Sequence, residues 1–241
     1  MTHKLSIVVT VLNEADNVLP VCQEIAAVLP DLPDAEVIFV DDGSTDGTME
    51  QLLAVKKTLL PKLLILSHDR RCGKSQALVT AIKAAKGEWI ATMDGDGQDD
   101  PKDLIAMWEK SERHSDSSVL VVGVRLNRND NFSRRFATRF ANGLRRFLLK
   151  DGCVDTGAPL KIFRRDDFMA LPHFEGVHRF IPALLQHRGV PLLCYAVHHR
   201  QRLNGFSKYT NLNRALLGIR DLLGVMWLLN RIRLPKKITK Y

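Results

Sequence analysis

An α/β architecture with a mainly parallel sheet is expected from the first hundred residues. Short β-branched runs alternate with helical patterns there, and acidic, glycine-bearing loops close three of the runs. The run Leu5 to Val11 is a buried strand bounded by Asn13-Glu14. Ala15 to Leu29 carries apolar residues at 18, 21, 22, 25 and 29, the stripe of a helix. Glu36 to Val40 is the second strand, and it stops at Asp41-Asp-Gly-Ser-Thr-Asp-Gly47. Thr48 to Lys57 reads as a helix, Leu63 to Leu66 as a third strand, and Ser75 to Ala85 as a helix closed by Gly87. Trp89 to Met93 is the fourth strand, followed by Asp94-Gly-Asp-Gly-Gln98. Ligands collect outside the carboxyl ends of the strands in such sheets. Asn13-Glu14, Asp41-Asp42 and Asp94/Asp96 therefore converge on one rim.

The 241 residues suit one or two domains, and 45% hydrophobic with 26% charged residues excludes disordered and fibrous classes. The formal charge of +8 is unevenly spread. Residues 1–120 hold 12 basic and 20 acidic side chains, whereas residues 121–241 hold 23 and 7. Such polarity fits a front half that holds a cation and a back half that meets phosphate or an anionic surface. The acidic front rim and the lack of a nucleic-acid motif argue against a nucleic-acid binder. Four scattered cysteines without a C-x-x-C pair disfavour a zinc site or a disulfide scaffold. The chain opens directly on a strand pattern, and its most apolar stretch, Leu216 to Leu229, is broken by Arg220 and Asp221. A cytoplasmic protein that touches a membrane peripherally is the expectation.

Asp94-Gly95-Asp96 offers two carboxylates on a short turn, oxygen ligands suited to Mg²⁺ or Mn²⁺. An EF-hand is excluded because the twelfth residue from Asp94 is Ile105. Gly73-Lys74-Ser75 is no phosphate loop, since His68 stands where its first glycine belongs. Lys74 is left as either an anion contact or a solvated lysine at a helix start. In Ser133 to Lys150, Phe136, Phe140, Leu144, Phe147 and Leu148 form one stripe. Arg134, Arg135, Arg139, Arg145 and Arg146 lie beside or opposite it, a pattern for an anionic membrane interface or for a core helix with a basic outer face. Arg200 to Tyr209 holds cations around Gly205 and Ser207, apt for a diphosphate. His178, His198 and His199 lack metal-ligand spacing. Asn211 to Leu229 reads as an apolar helix with Trp227 near its end and basic residues after it, a membrane or partner contact.

The runs S-I-V-V-T-V-L-N-E (6–14), V-D-D-G-S-T-D-G-T (40–48) and M-D-G-D-G-Q-D-D-P (93–101) resemble the nucleotide-sugar domain of inverting family 2 glycosyltransferases. The form D-x-D-x-Q-x-x-P and the late R-x-x-G-x-S-K (202–208) are similar to the polyprenyl-phosphate branch, of which dolichol-phosphate mannose synthase is typical. The resemblance implies a GT-A catalytic domain over 1–210 and an amphipathic basic tail over 211–241. Thr10, Leu12, Glu14 and Asp41 would line the nucleoside pocket. Asp94, Asp96 and Gln98 would hold the cation, with Gly95 between the carboxylates, against the donor diphosphate. Arg125, with Arg135 or Arg139, would meet the acceptor phosphate. Arg202 and Lys208 would close over the phosphates, and His178-Arg179 would approach the sugar or donor. Asp155-Thr-Gly-Ala-Pro-Leu-Lys161 departs from the D-x-x-S-G-F-like segment of that branch, on the sugar side.

The implied reaction moves a sugar, a hexose in the usual case, from a nucleoside diphosphate to an undecaprenyl or dolichyl phosphate in cell-envelope biogenesis. An anionic phosphate needs positioning, not deprotonation. The alternative acceptor is a hydroxyl of a cell-envelope glycan or lipid, which calls for a carboxylate base. Asp155 and Glu175 are the candidates after residue 130, and neither sits in a base motif. A catalytically silent lipid-binding subunit is a further class, opposed by the intact Asp94 and Asp96. Donor base, sugar and oligomeric state are not legible in the sequence.

Overall fold

The computed structural model describes residues 4–32, 34–114, 117–125, 143, 145–200 and 211–233, with side chains in the last stretch from 218 onward. Its elements are β1 (Leu5–Val11), α1 (Ala15–Val28), β2 (Ala35–Asp41), α2 (Thr48–Thr58), β3 (Leu64–Ser67), α3 (Lys74–Ala84) and β4 (Trp89–Asp94). There follow α4 (Lys102–Glu112), β5 (Leu120–Arg125), β6 (Lys161–Arg164), α5 (Arg165–Met169), α6 (Val177–His187), β7 (Leu192–Val197) and α7 (Asn211–Arg231). The elements expected before residue 95 all form, within a residue or two of their expected ends. The sequence reading passes over α4, β5, β6, α5 and α6.

Among the described residues, seven strands make one sheet in the order β3-β2-β1-β4-β6-β5-β7. Of these strands, β6 alone runs against its neighbours, and the other strand pairings are parallel. Strand β1 is central, and its alternation feeds two cores. Leu5, Ile7, Val9 and Val11 pack with Val18, Val21, Cys22 and Ile25 of α1, on the side that also holds Leu104 and Met107 of α4. Val8 joins Ile38 and Val40 against α3, α5 and α6 on the other side. Full burial of one such aliphatic side chain contributes about 1.5–3 kcal/mol, so the two cores hold the carboxyl ends of β1, β2 and β4 in register. Thr10 lies beside Asp94, and Val11 beside Asp41.

The second half corrects one expectation. Residues 145–149 are helical, but Arg145 is buried and Phe147 is 79% exposed. The described turn thus faces inward with Arg145 and Leu149 and outward with Phe147, while Phe136, Phe140 and Leu144 of the expected stripe lie outside the described residues. Pairing explains the inversion, because Arg145 reaches Asp151 at 3.0 Å, the Thr156 hydroxyl and the Cys153 carbonyl. Helix α7 buries Leu222, Val225 and Leu229 in the second core and leaves Ile219, Leu223 and Trp227 exposed on another face. Among the described residues, no helix is long and apolar enough to cross a membrane.

Candidate active site

The first loop of the rim is organised by Asn13, which adopts φ 52°. Its amide N–H donates to Ser44 Oγ at 2.8 Å, and its Oδ1 accepts from the Thr45 N–H at 2.8 Å. The Glu14 N–H donates to Thr48 Oγ1 at 2.9 Å, while Glu14 Oε2 accepts from Asn17 Nδ2 at 2.5 Å. Buried Asp41 accepts from the Ser44 N–H at 3.0 Å. Thr10 and Leu12 are half-buried between these loops. Gly43 is required at its turn: φ is +75°, and a Cβ would sit 2.5 Å from the Arg70 carbonyl carbon.

Asp42 orders the loop after β3. Its carboxylate accepts from the Cys72 and Gly73 N–H groups, both at 2.8 Å, and pairs with His68 Nδ1 at 2.8 Å. His68 Nε2 meets Thr80 Oγ1 at 2.9 Å. Asp42, His68 and Cys72 lie close enough for a metal ion, but the carboxylate oxygens are already occupied by these donors. The loop delivers α3, whose first residue, Lys74, ion-pairs with Asp94 Oδ1. The lysine left open by the sequence is therefore paired with the carboxylate turn rather than solvated alone. Ser75 is not a helix cap; its Oγ accepts from the Gly176 N–H at 2.9 Å and pairs with His178 Nδ1 at 2.8 Å. Burial and the nearby Lys74 hold the His178 imidazolium well below its ordinary pKa.

The Asp94-Gly-Asp96 turn follows β4 directly. A Cβ on Gly95 would come 2.3 Å from Val11 Cγ1, so only glycine lets the turn close on β1. Asp96 Oδ1 accepts from the Gln98 N–H at 3.2 Å. Asp99 is buried beneath, and burial with the neighbouring Asp94 raises its pKa to about 7. This concentration of hard oxygen donors fits a divalent cation: Asp94 already attracts the Lys74 ammonium, and Asp99 resists ionisation beside the other two. Gln98 Nε2 donates to the Arg200 carbonyl at 3.3 Å, which ties the turn to the segment after β7. Arg200 in turn donates to both Glu24 oxygens, at 2.7 and 3.0 Å.

On the far side of β6, Arg125 ends β5. Its Nε and Nη2 donate to Asp155 Oδ2 and Oδ1 at 2.7 and 2.8 Å. Although burial opposes it, this pairing raises the Arg125 pKa, with help from Asp99 and Asp94. Lys161, at the start of β6, was not singled out by the sequence reading. Its ammonium is buried and donates to the Ala158 carbonyl. Burial, then the Lys74 charge, lowers its pKa to about 8. Arg179 is spent on Asp221 of α7 at 2.7 Å and links α6 to α7. Arg135, Arg139, Arg202 and Lys208 lie outside the described residues.

The structure thus gathers Thr10, Leu12, Glu14, Asp41, Asp94, Gly95, Asp96 and Gln98 along one rim. Electrostatic coupling links Asp94 to Arg125 across β6, and Lys74 to His178. Sequence reasoning missed Asn13 as an organiser, Asp42 as a loop anchor and Lys161. The signal for the first two was present in the sharp strand-to-loop changes. Nothing in the pattern of Leu160-Lys-Ile-Phe163 marks a buried lysine.

A mainly parallel sheet thus carries a carboxylate turn after its fourth strand, with cations across from it. Residues 6–171 match the family model described as Glycosyl transferase family 2, and the chain belongs to that family. It is 37% identical over 230 residues to a dodecaprenyl-phosphate galacturonate synthase of Rhizobium johnstonii, covering 93% of this chain and 67% of that protein. It is 30% identical over 210 residues to an undecaprenyl-phosphate 4-deoxy-4-formamido-L-arabinose transferase of Enterobacter sp., covering 86% and 63%. The chain therefore spans about two thirds of the length of these relatives. Among solved structures, glucosyl-3-phosphoglycerate synthase from Mycobacterium tuberculosis, in complex with phosphoglyceric acid, superposes with a TM-score of 0.68 at 19% identity over 96% of this chain and 81% of that one. The same enzyme with Mn²⁺, UDP-glucose and phosphoglyceric acid gives 0.66 at 20%, with the same coverage. The fold is GT-A-type, as the sequence resemblance implied.

Proposed function

We propose that this glycosyltransferase moves a sugar from a nucleoside-diphosphate donor to a polyprenyl phosphate, with Mg²⁺ or Mn²⁺ held by Asp94 and Asp96. The observation that carries the reading is the state of Asp155. Each of its oxygens accepts from Arg125, so a carboxylate suited to act as base is committed to a cation. Glu175, the other candidate, is exposed on the loop before α6. An acceptor hydroxyl would need such a base, whereas a phosphate needs the cation. The relatives named for dodecaprenyl and undecaprenyl phosphates support the same acceptor class.

In this mechanism Thr10, Leu12, Glu14 and Asp41 receive the nucleoside. Lys74, at the start of α3, exchanges part of its contact with Asp94 for the donor diphosphate. The divalent ion, when bound, supplies Lewis-acid stabilisation of the departing nucleoside diphosphate. His178, neutral and hydrogen-bonded to Ser75, is assigned to the sugar side by family resemblance. Arg125 aligns the acceptor oxygen for in-line attack at the anomeric carbon, and the configuration inverts. Arg202 and Lys208, with Arg135 or Arg139, are assigned to the phosphates by family resemblance. The exposed Ile219, Leu223 and Trp227 of α7, with Arg220, Arg231 and Arg233 beside them, support peripheral binding to the anionic cytoplasmic face of a membrane.

Labelled nucleotide sugar supplied with undecaprenyl phosphate in detergent micelles, or with a hydroxyl-bearing glycan or lipid, tests the reading. Label transferred to the lipid phosphate, abolished by chelator and restored by Mg²⁺ or Mn²⁺, is the expected result. Label found only on the hydroxyl acceptor would refute it.

A further inference from the structure

Arginine can be gripped along its Nε–Nη side while keeping its terminal fork for a second oxyanion. Arg125 is held in this way. Asp155 takes the Nε–H and one Nη2–H, and the Nη1 group has no acceptor among the described residues. The loop carrying Asp155 is itself pinned from two directions by buried cations. Lys161 holds the Ala158 carbonyl from below, and Arg145 holds Asp151, Cys153 and Thr156 from the other side. Thr92 Oγ1 adds a bond to the Pro159 carbonyl at 2.6 Å, and the Gly123 N–H donates to the Leu160 carbonyl at 2.9 Å. The loop opens to solvent at Gly157, where a Cβ would stand 3.3 Å from Arg125 Nη2.

We infer that Asp155 is a positioning residue: held in place by Lys161 and Arg145, it fixes the Arg125 guanidinium so that the outer fork faces an incoming phosphate monoester past Gly157. This rests on the polyprenyl-phosphate reading and extends it, because it gives the departing Asp155-Thr-Gly-Ala segment a defined task. A phosphate gains two parallel N–H···O bonds from a fork already oriented, and the ordering cost of a long side chain is met by Asp155 before the acceptor arrives.

The test compares wild type with Asp155→Asn, Arg125→Ala and the double variant, using undecaprenyl phosphate in micelles, with inorganic phosphate as a competitor. Asp155→Asn keeps the shape but weakens the grip on Arg125. It is expected to raise the acceptor KM about tenfold and to leave the donor KM within about twofold. The inhibition constant for inorganic phosphate should rise by the same factor, and the double variant should be no worse than Arg125→Ala. An unchanged acceptor KM, equal rises in both KM values, or additive losses would overturn the inference. So would a rise for the lipid without one for inorganic phosphate, which would place the effect on the lipid chain. Should Asp155→Asn fail to fold, Gly157→Ala at an exposed position crowds Arg125 Nη2 by a few tenths of an ångström, and it should raise the acceptor KM without changing the melting temperature. Wild-type transfer only to a hydroxyl would instead refute the phosphate reading. Wild-type transfer to lipid phosphate with an indifferent Asp155 variant refutes this inference alone.

Discussion

The rim at the ends of β1, β2 and β4, proposed above as the donor side, and the rim around Arg125, proposed as the acceptor side, are both charged, yet they are built in different ways. On the donor side, carboxylates are held mainly by backbone amides near in space and often near in sequence: Asp41 by the Ser44 N–H, Asp96 by the Gln98 N–H, and Asp42 by the Cys72 and Gly73 N–H groups. On the acceptor side, side chains hold side chains across long separations, as in Arg125 with Asp155. Backbone-held carboxylates survive the loss of a neighbour, whereas a buried ion pair leaves an uncompensated charge when half of it is removed. The donor rim should therefore respond to substitution chiefly in activity, and the acceptor rim in stability as well.

Asp96→Ala should show the largest effect, a fall in kcat/KM of at least roughly 10³-fold, about 4 kcal/mol of transition-state stabilisation. Its melting temperature should be unchanged or higher, because Asp99 loses a like-charged neighbour. Steady-state kinetics and a thermal melt check both halves of this expectation. Arg125→Met should destabilise the fold by at least about 2 kcal/mol in urea unfolding, since buried Asp155 loses both guanidinium bonds. Asp42→Asn, its donor-side counterpart, leaves one loop N–H without an acceptor and should cost only about 1–3 kcal/mol.

Lys161 gives the acceptor side a pH signature. Its folded pKa of about 8 lies below the model-peptide value of 10.5, through burial and Lys74, with partial offsets from Cys153, Asp94 and Asp155. Below the folded value the ammonium is charged in both states, and the cost of burying it is fully present. As pH rises from 8 towards 10.5, the folded state releases the proton first, so the Lys161 contribution to stability improves. Lys161→Met removes this slope, and its stability relative to wild type should decline between about pH 7 and about pH 9.5 in urea midpoints. The smallest change is expected for Arg200→Ala. The Arg200–Glu24 pair is about one third exposed, so its loss should cost no more than about 1 kcal/mol.

The same contrast explains what could be read from the sequence. Parallel crossovers bring the carboxyl ends of β1, β2 and β4 to one edge, so contiguous motifs at residues 13–14, 41–42 and 94–96 disclosed the donor rim directly. The acceptor rim depends on pairings that no local pattern encodes. Arg125 and Asp155 are 30 residues apart, and β6 is a four-residue strand running against the sheet. Arg145 misleads a periodicity argument because its partners, Asp151, Cys153 and Thr156, lie in the following loop and draw it inward. Lys161 opposes the prior against buried lysine, and only the Ala158 carbonyl and the neighbouring charges account for it. For β5, which the sequence reading passes over, the β-branched run Val119 to Val124 is a local signal that could have found it.

The division of labour is tested most directly by measuring donor and acceptor KM side by side in Asp96→Asn and Arg125→Lys. The donor constant should rise in the first with little change in the acceptor constant, and the reverse should hold in the second. Matching shifts of both constants in both variants would contradict a site split between a cation-holding rim and a phosphate-holding one.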